Sequence, residues 1–397
     1  MTVGTMHHLD IPAIVTPVEI AKIDVWAFRE PTKVAVETSF GRMSDRRAVV
    51  LRVEDRDGCF GFGEIFANWP VAAPEHRVRL LVEDICWLLE GQRLTRPAQL
   101  FDYLTDRVRL VALQAGEFGP FQQVIAGLDT AIWDLFARKS CRPLAQYLNK
   151  VAANEVPAYA SGIHFNVRHQ AVAQAQAVGF DRFKIKVGFH KDATVEAQEI
   201  LNLLESLSDD QTLLVDANQA WTAAQAETFL RATNGAGLGW VEEPIPADAD
   251  ETAWRSCAEA TTTPLAGGEN IAGYTDFDAA LSGRFLSVLQ PDVAKWGGVT
   301  GCTFVATEAR KHGKTYCPHF LGGGIGLLAS AHLLAAHPGG QLEMDVNESA
   351  LRTAFGDAFL PKVTAGQWTL STEHGLGVTR LPEALNQYLV VHQEIAL

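Results

Sequence analysis

Residues 212–244 read TLLVDANQAWTAAQAETFLRATNGAGLGWVEEP. An apolar, strand-like run ends at Asp216, and a helix opens at Thr222 with Gln225 three residues on in a capping box. A second short apolar run then ends at Glu242, and a third acid, Glu269 in AGGEN, follows another. The intervals are 26 and 27 residues, close to the roughly 30 residues of one strand–helix unit in a parallel α/β barrel. Carboxylates at the ends of three successive barrel strands meet at one mouth. Buried like charges raise one another's pKa unless a cation sits between them, and hard oxygen ligands suit Mg²⁺. Asp216, Glu242 and Glu269 are therefore the candidate metal ligands. Glu243 is the rival to Glu242; neighbouring strand residues point to opposite faces, so one of the two is expected to reach the metal and the other to form a structural pair.

Outward from this stretch the beat continues. Lys184 and Lys186 lie in FKIKVG one unit earlier; Asp292 (LQPD), His319 (YCPHF) and Glu343 (QLEMD) lie one, two and three units later. Lys184 and Lys186 share a strand face, and two adjacent ammonium groups disfavour each other's charged form, which would tune a lysine toward general-base work. A carboxylate such as Asp292 on one ring nitrogen of His319 fixes its tautomer and raises its basicity. Glu343 is read either as a protonated acid that donates to a developing oxyanion or as another salt-bridged acid. Asn218, two residues beyond Asp216, is a candidate for a substrate hydroxyl. The run Gly322-Gly323-Gly324 with Gly326 is read as a turn allowing close approach to His319, in preference to a phosphate cradle, since no P-loop lysine follows.

Regular alternation over about 155–350 predicts a parallel barrel, while 18–65 reads as strands with a hairpin turn at Asp57-Gly58, followed by helical PEHRVRLLVEDICWLL and QQVIAGLDTAIWDLFARK. The expected domains are an α+β capping unit at 18–148, the barrel at 149–352, and a segment 353–397 that packs back on the cap. The net charge of −14 argues against nucleic acid as a partner. Six scattered cysteines without a Cys-x-x-Cys pair fit a reducing compartment. No apolar run reaches membrane-span length, and MTVGTMHHLD lacks the pattern of a secretory signal; a cytoplasmic location is expected. His7 and His8 are read as part of a loose terminus.

The motifs Lys-x-Lys, Asp-x-Asn, Glu-Glu-Pro, Gly-Glu-Asn, Pro-Asp-x-x-Lys-x-Gly-Gly and a later His occur in this order, and GLDTAIWDLFARKSCRPLAQYL precedes them. In combination the chain resembles the enolase superfamily and, within it, the mandelate racemase subgroup. The resemblance implies a modified (β/α)₇β barrel of TIM type with an α+β cap. It implies Mg²⁺ on Asp216, Glu242 and Glu269, and Lys186 as one base with Lys184 modulating it and in contact with the substrate. His319 supported by Asp292 is then the other base, Glu343 lies near the enolate oxygen, and the chain forms a homo-oligomer. Asp292, where the muconate cycloisomerase group has a lysine, points to the mandelate racemase side. The expected activity is Mg²⁺-dependent dehydration of a sugar acid to a 2-keto-3-deoxy acid. Racemisation or epimerisation of a 2-hydroxy acid is the alternative, and a noncatalytic barrel that binds an acid is a third. Specificity is expected from cap loops around Val34–Arg47 and Glu64–Pro70.

Overall fold

Alternating apolar residues in the first part of the chain build an antiparallel sheet of β1 (Ile20–Thr38), β2 (Gly41–Asp55) and β3 (Phe60–Ile65). The structure, a computed structural model, describes residues 16–397 other than 40, 358 and 361; His7 and His8 fall outside the described residues. The Asp57-Gly58 turn forms as the sequence predicts. Asp55 Oδ1 accepts from the N–H groups of Asp57 (3.0 Å) and Cys59 (2.9 Å), and Gly58 takes the left-handed φ of 79°.

After the sheet the predicted PEHRVRLLVEDICWLL segment forms successive short helical stretches, Ala73–Arg79, Leu80–Ile85 and Cys86–Leu89, and two longer helices, α1 (Ala98–Ala115) and α2 (Phe118–Lys139), follow. Helix α2 lies so close to β3 that a Cβ on Gly63 would stand 2.0 Å from the Gly127 carbonyl oxygen, so only glycine permits this contact. Buried Asp134 fastens the pair by accepting from Phe62 N at 2.8 Å.

The barrel strands are β4 (Glu155–His164), β5 (Arg182–Lys186), β6 (Thr212–Asp216), β7 (Val241–Glu242), β8 (Leu265–Gly267), β9 (Val288–Leu289), β10 (Thr315–Tyr316) and β11 (Leu342–Asp345). They pair in parallel in the order β10-β9-β8-β7-β6-β5-β4-β11. Helices fill the connections, as a parallel sheet requires. Among them α3 (Ala223–Ala232) carries both hydrogen bonds of the Thr222/Gln225 capping box. Helix α4 (Gly298–Lys311) is followed by Gly313 at φ 67°, and α5 (Gly324–Ala336) follows the glycine run.

Cap and barrel are joined by buried polar contacts. Asp129 on α2 accepts from Thr300 N (2.8 Å) and Thr300 Oγ1 (2.6 Å), and Trp133 Nε1 donates to Thr300 Oγ1 at 2.8 Å. Beyond the barrel, β12 (Gln367–Thr369) pairs antiparallel with β4 and β13 (Leu389–Ala396) pairs antiparallel with β1. The last segment thus touches the barrel before it completes the cap sheet. No helix among the described residues is long and apolar enough to cross a membrane.

Candidate active site

Side chains alternate along a strand, so the residue two positions beyond an interior floor residue enters the same interior one layer higher. Tyr159, Leu214, Trp240, Ala266, Val288 and Cys317 form an apolar cluster. Two residues further on are Ser161, Asp216, Glu242, Gly268, Gln290 and His319. Strand β5 contributes Lys184 below and Lys186 above. The register sets Lys186 beside Asp216 and Asp216 beside Glu242.

Lys184, from the lower layer, closes an ion network with residues of the layer above. Lys184 Nζ donates to Glu242 Oε1 (2.7 Å) and Oε2 (2.9 Å) and stands 2.7 Å from Glu343 Oε1. Glu242 also accepts from Trp240 Nε1 (3.1 Å) and Gln290 Nε2 (2.7 Å); Glu343 accepts from Ser161 Oγ (2.6 Å) and Phe320 N (3.1 Å). Burial would depress the Lys184 ammonium, but Glu242 and then Glu343 outweigh it and hold its pKa well above the ordinary value. Burial would raise Glu343, yet Lys184 and His319 hold it below the usual carboxylate range. The Glu343 contacts are those of a salt-bridged acid, the second of the two sequence readings. Lys184 is 1% exposed and does not line the mouth cavity, so the expected substrate contact is not made.

The upper layer faces the cavity. Lys186 Nζ lies 2.5 Å from Asp216 Oδ2, whose carboxylate also accepts from Asn218 N (2.7 Å) and Asn218 Nδ2 (3.2 Å). The lysine pair was expected to lower the Lys186 pKa. Burial is the largest influence and depresses it, but Asp216 together with Glu242 and Glu269 outweighs burial and Lys184, and the pKa is raised. His319 Nδ1 meets Asp292 Oδ2 at 2.8 Å, and Asp292 Oδ1 is itself fixed by Ala294 N (2.8 Å) and Lys295 N (3.1 Å). His319 Nε2 meets Glu269 Oε2 at 2.8 Å. Burial opposes the imidazolium, but Glu269 and Glu343 raise its pKa well above the ordinary histidine value.

Glu243 departs from the alternation argument. β7 ends at Glu242, and Glu243 adopts a left-handed φ of 38°, so the period-two rule no longer places its side chain. It is buried like Glu242. Asn270 Nδ2 donates to both of its oxygens (2.9 and 3.1 Å) and to Glu269 Oε1 (3.2 Å). Burial and then Glu269 push Glu243 up to about 8. Lys295, quoted in the motif but given no role, donates to Asn270 Oδ1 (2.8 Å) and stands 3.4 Å from Glu269. Trp240, Gln290 and Ser161 were also passed over. Trp240 and Gln290 sit two residues before Glu242 and Asp292, a spacing that would have flagged them.

The glycine run cradles an anion supplied by the protein itself. Glu64, at the end of β3, accepts from Gly323 N (2.5 Å) and Gly326 N (2.9 Å) at the start of α5. A Cβ on Gly326 would fall 2.2 Å from the Phe320 ring. The run is thus a close-approach turn, but against the Phe320 ring and Glu64 where His319 was expected, and burial pushes Glu64 up to about 7.

Lys186, Asn218, Glu269 and His319 open into one cavity of about 990 Å³. Its outer wall includes Arg42, Arg46, Asn68 and Trp69 from the two cap loops expected to set specificity.

Two family models match the chain: "Mandelate racemase / muconate lactonizing enzyme, N-terminal domain" over residues 22–149 and "Enolase C-terminal domain-like" over residues 166–384. The chain belongs to the mandelate racemase/muconate lactonizing enzyme family. It is 41% identical to a solved mandelate racemase/muconate lactonizing enzyme from Bordetella bronchiseptica, with a TM-score of 0.86 over 94% of this chain and 99% of that one. A racemase from Streptomyces coelicolor with bound magnesium is 26% identical, with a TM-score of 0.82 over 94% of this chain and 100% of that one. The arabinonate dehydratase of Saccharolobus solfataricus is 27% identical over 86% of this chain and 90% of its own length. The family assignment makes the chain an enzyme of enolase-superfamily architecture.

Whether the acids of this mouth suit a magnesium ion can be judged from their chemistry. Asp216, Glu242, Glu243 and Glu269 are hard oxygen donors, all buried; burial first, and neighbouring carboxylates after it, raise Glu242 to about 7 and Glu243 to about 8, a cost that a cation among them would offset. That donor set fits a hard divalent cation. The side chains do not form a ready cage as they stand. Lys184 and Lys186 hold Glu242 and Asp216, His319 holds Glu269, and no group of three His, Cys, Asp or Glu side chains among the described residues is spaced for a metal.

Proposed function

We propose that this enzyme removes the proton α to the carboxylate of a sugar acid and expels the β-hydroxyl as water, giving a 2-keto-3-deoxy acid. The observation that carries the reading is that Lys186 and His319 line one cavity from well-separated strands, β5 and β10. Along the sheet those strands are five positions apart, a separation that supports one acid–base group on each side of a bound α-carbon.

Asp216, Glu242 and Glu269 are the residues we assign to Mg²⁺. When bound, Mg²⁺ acts as a Lewis acid on the substrate carboxylate and lowers the cost of the charge that develops there. Lys186 acts as the amine, a form that a cation held by Asp216 would favour by offsetting the carboxylate that now keeps the ammonium charged; the amine takes the α-proton, and the C–H electron pair becomes the enediolate. His319, held through Nδ1 by Asp292, presents Nε2 to the cavity and gives its proton to the departing β-hydroxyl. The resulting enol takes up a proton at the β-carbon, gives its hydroxyl proton to solvent and becomes the 2-keto acid. Glu343 and Lys184 support this from below by fixing Glu242. Asn218 steadies Asp216 and lines the cavity, where it can meet a substrate hydroxyl.

A wall that includes Asn68, Asn218, Gln219 and Asn347 suits a polyhydroxy acid better than an aromatic one, and the arabinonate dehydratase relative supports dehydration. The racemase neighbour keeps racemisation as the second reading, since the same two groups would serve it. The test is incubation with a panel of sugar acids and Mg²⁺ in D₂O. Formation of a 2-keto acid supports dehydration. Deuterium at the α-carbon without keto acid replaces it by racemisation, and neither product from a broad panel removes the proposal.

A further inference from the structure

The cavity is not uniform in charge. At its inner end each cation faces a carboxylate: Lys186 is paired with Asp216 and Lys295 with Glu269. At the outer wall the account does not balance. Arg46 reaches Asp345 Oδ2 at 2.7 Å, but that oxygen is already shared with Arg352 at 3.0 Å. Arg42, exposed on β2 and lining the same cavity, makes no hydrogen bond or ion pair among the described residues. Two guanidinium groups thus line the outer wall with one carboxylate, in a chain whose net charge is −14. A free arginine has five donors in a planar fork that matches a carboxylate.

We infer that the substrate is a dicarboxylic sugar acid, whose distal carboxylate is received by Arg42 with Arg46 beside it. This rests on the reading of the inner end as the site of the α-carboxylate and names the class of acid that site takes. Of the guanidinium groups lining this wall, Arg42 alone has no carboxylate among the described residues, and its planar fork matches one carboxylate in two parallel hydrogen bonds; a phosphate ester is the competitor that the test below excludes. The proximal carboxylate and the distal one then occupy the two ends of one cavity, and the intervening hydroxyls meet its amide-rich wall.

The test is binding, measured by calorimetry with Mg²⁺ present in a Lys186→Met background so that turnover does not intervene. The probes are aldaric acids, the aldonic acids of the same configuration, and an aldonic acid 6-phosphate. At least one aldaric acid should bind roughly 10-fold or more tightly than its aldonic partner, the scale of a charge-assisted hydrogen bond. Arg42→Gln should shrink that ratio to about 2-fold while leaving the aldonic acid unchanged, and added salt should shrink it too. Equal affinity for the two classes overturns the inference. So does tighter binding of the phosphate, an Arg42→Gln loss shared equally by both acids, or no binding of any aldaric acid. The α-proton exchange of the wild-type enzyme is read separately: its absence would remove the proposed reaction without touching the affinity ratio.

Discussion

Lys184 and Lys186 share a strand and a face, with a single residue between them, yet they occupy different worlds. Lys184 is sealed beneath the mouth among Glu242, Glu343 and the Tyr159 ring. Lys186 stands one layer up, in contact with Asp216 and open to the cavity. One step of the strand repeat, roughly 6–7 Å, separates an ammonium that holds the barrel floor together from one that can reach a substrate. Chemical type did not distinguish them; depth did.

Replacing each lysine separates the two roles. Lys186→Met should lower turnover by about 10²- to 10⁴-fold, the usual worth of a positioned acid–base group, with little change in melting temperature; an active variant would place Lys186 with its neighbour as a structural residue. Lys184→Met should act mainly on stability. It strands Glu242 and Glu343 without their cation, and breaking a buried pair in this way costs about 3–5 kcal/mol, to be read from denaturant unfolding. A variant that unfolds like the wild type but fails to bind acid would reverse the assignment and return Lys184 to the substrate.

Glu64 sharpens the contrast, being a buried carboxylate held by backbone N–H groups where Glu242 has a lysine. Its folded-state value of about 7 lies above the roughly 4.3 of an unfolded glutamate. The unfolded chain therefore loses its proton first, and this group's contribution to stability is full at acid pH and declines as pH rises toward 7. Glu64→Gln cannot titrate, so its stability relative to the wild type should improve by about 2–3 kcal/mol at most between pH 4.5 and pH 8. A pH-independent difference would show that the α5 N-terminus stabilises the anion fully. The smallest effect expected is from Trp240→Phe, which removes one of four hydrogen bonds to Glu242 and should cost about 1 kcal/mol.

The strand–helix beat carried much of this into the sequence. A carboxylate or imidazole after each apolar run was enough to bring Asp216, Glu242, Glu269, Asp292, His319 and Glu343 to one end of the sheet, because a parallel barrel turns sequence period into angular position; of these, Glu269 and His319 line the cavity and the others lie behind or beneath it. What the period does not encode was lost. The end of β7 at Glu242 and the left-handed turn at Glu243 defeat an alternation rule that holds only within a strand. The Glu64 cradle joins residues more than 250 positions apart, and no local pattern announces it. Nor could spacing show that Asp216 would outweigh Lys184 at Lys186, since that balance depends on distances across strands.

The pairing of β13 with β1 bears on how the chain comes into being. Val25 lies opposite Gln393, a contact that spans nearly the whole sequence, with the entire barrel in between. During synthesis the cap sheet must wait with one edge open until the barrel strands have left the ribosome, and an open edge is a template for pairing with another chain. The buried contacts of α2 on β3 give the early cap something to hold while its fourth strand is still being made.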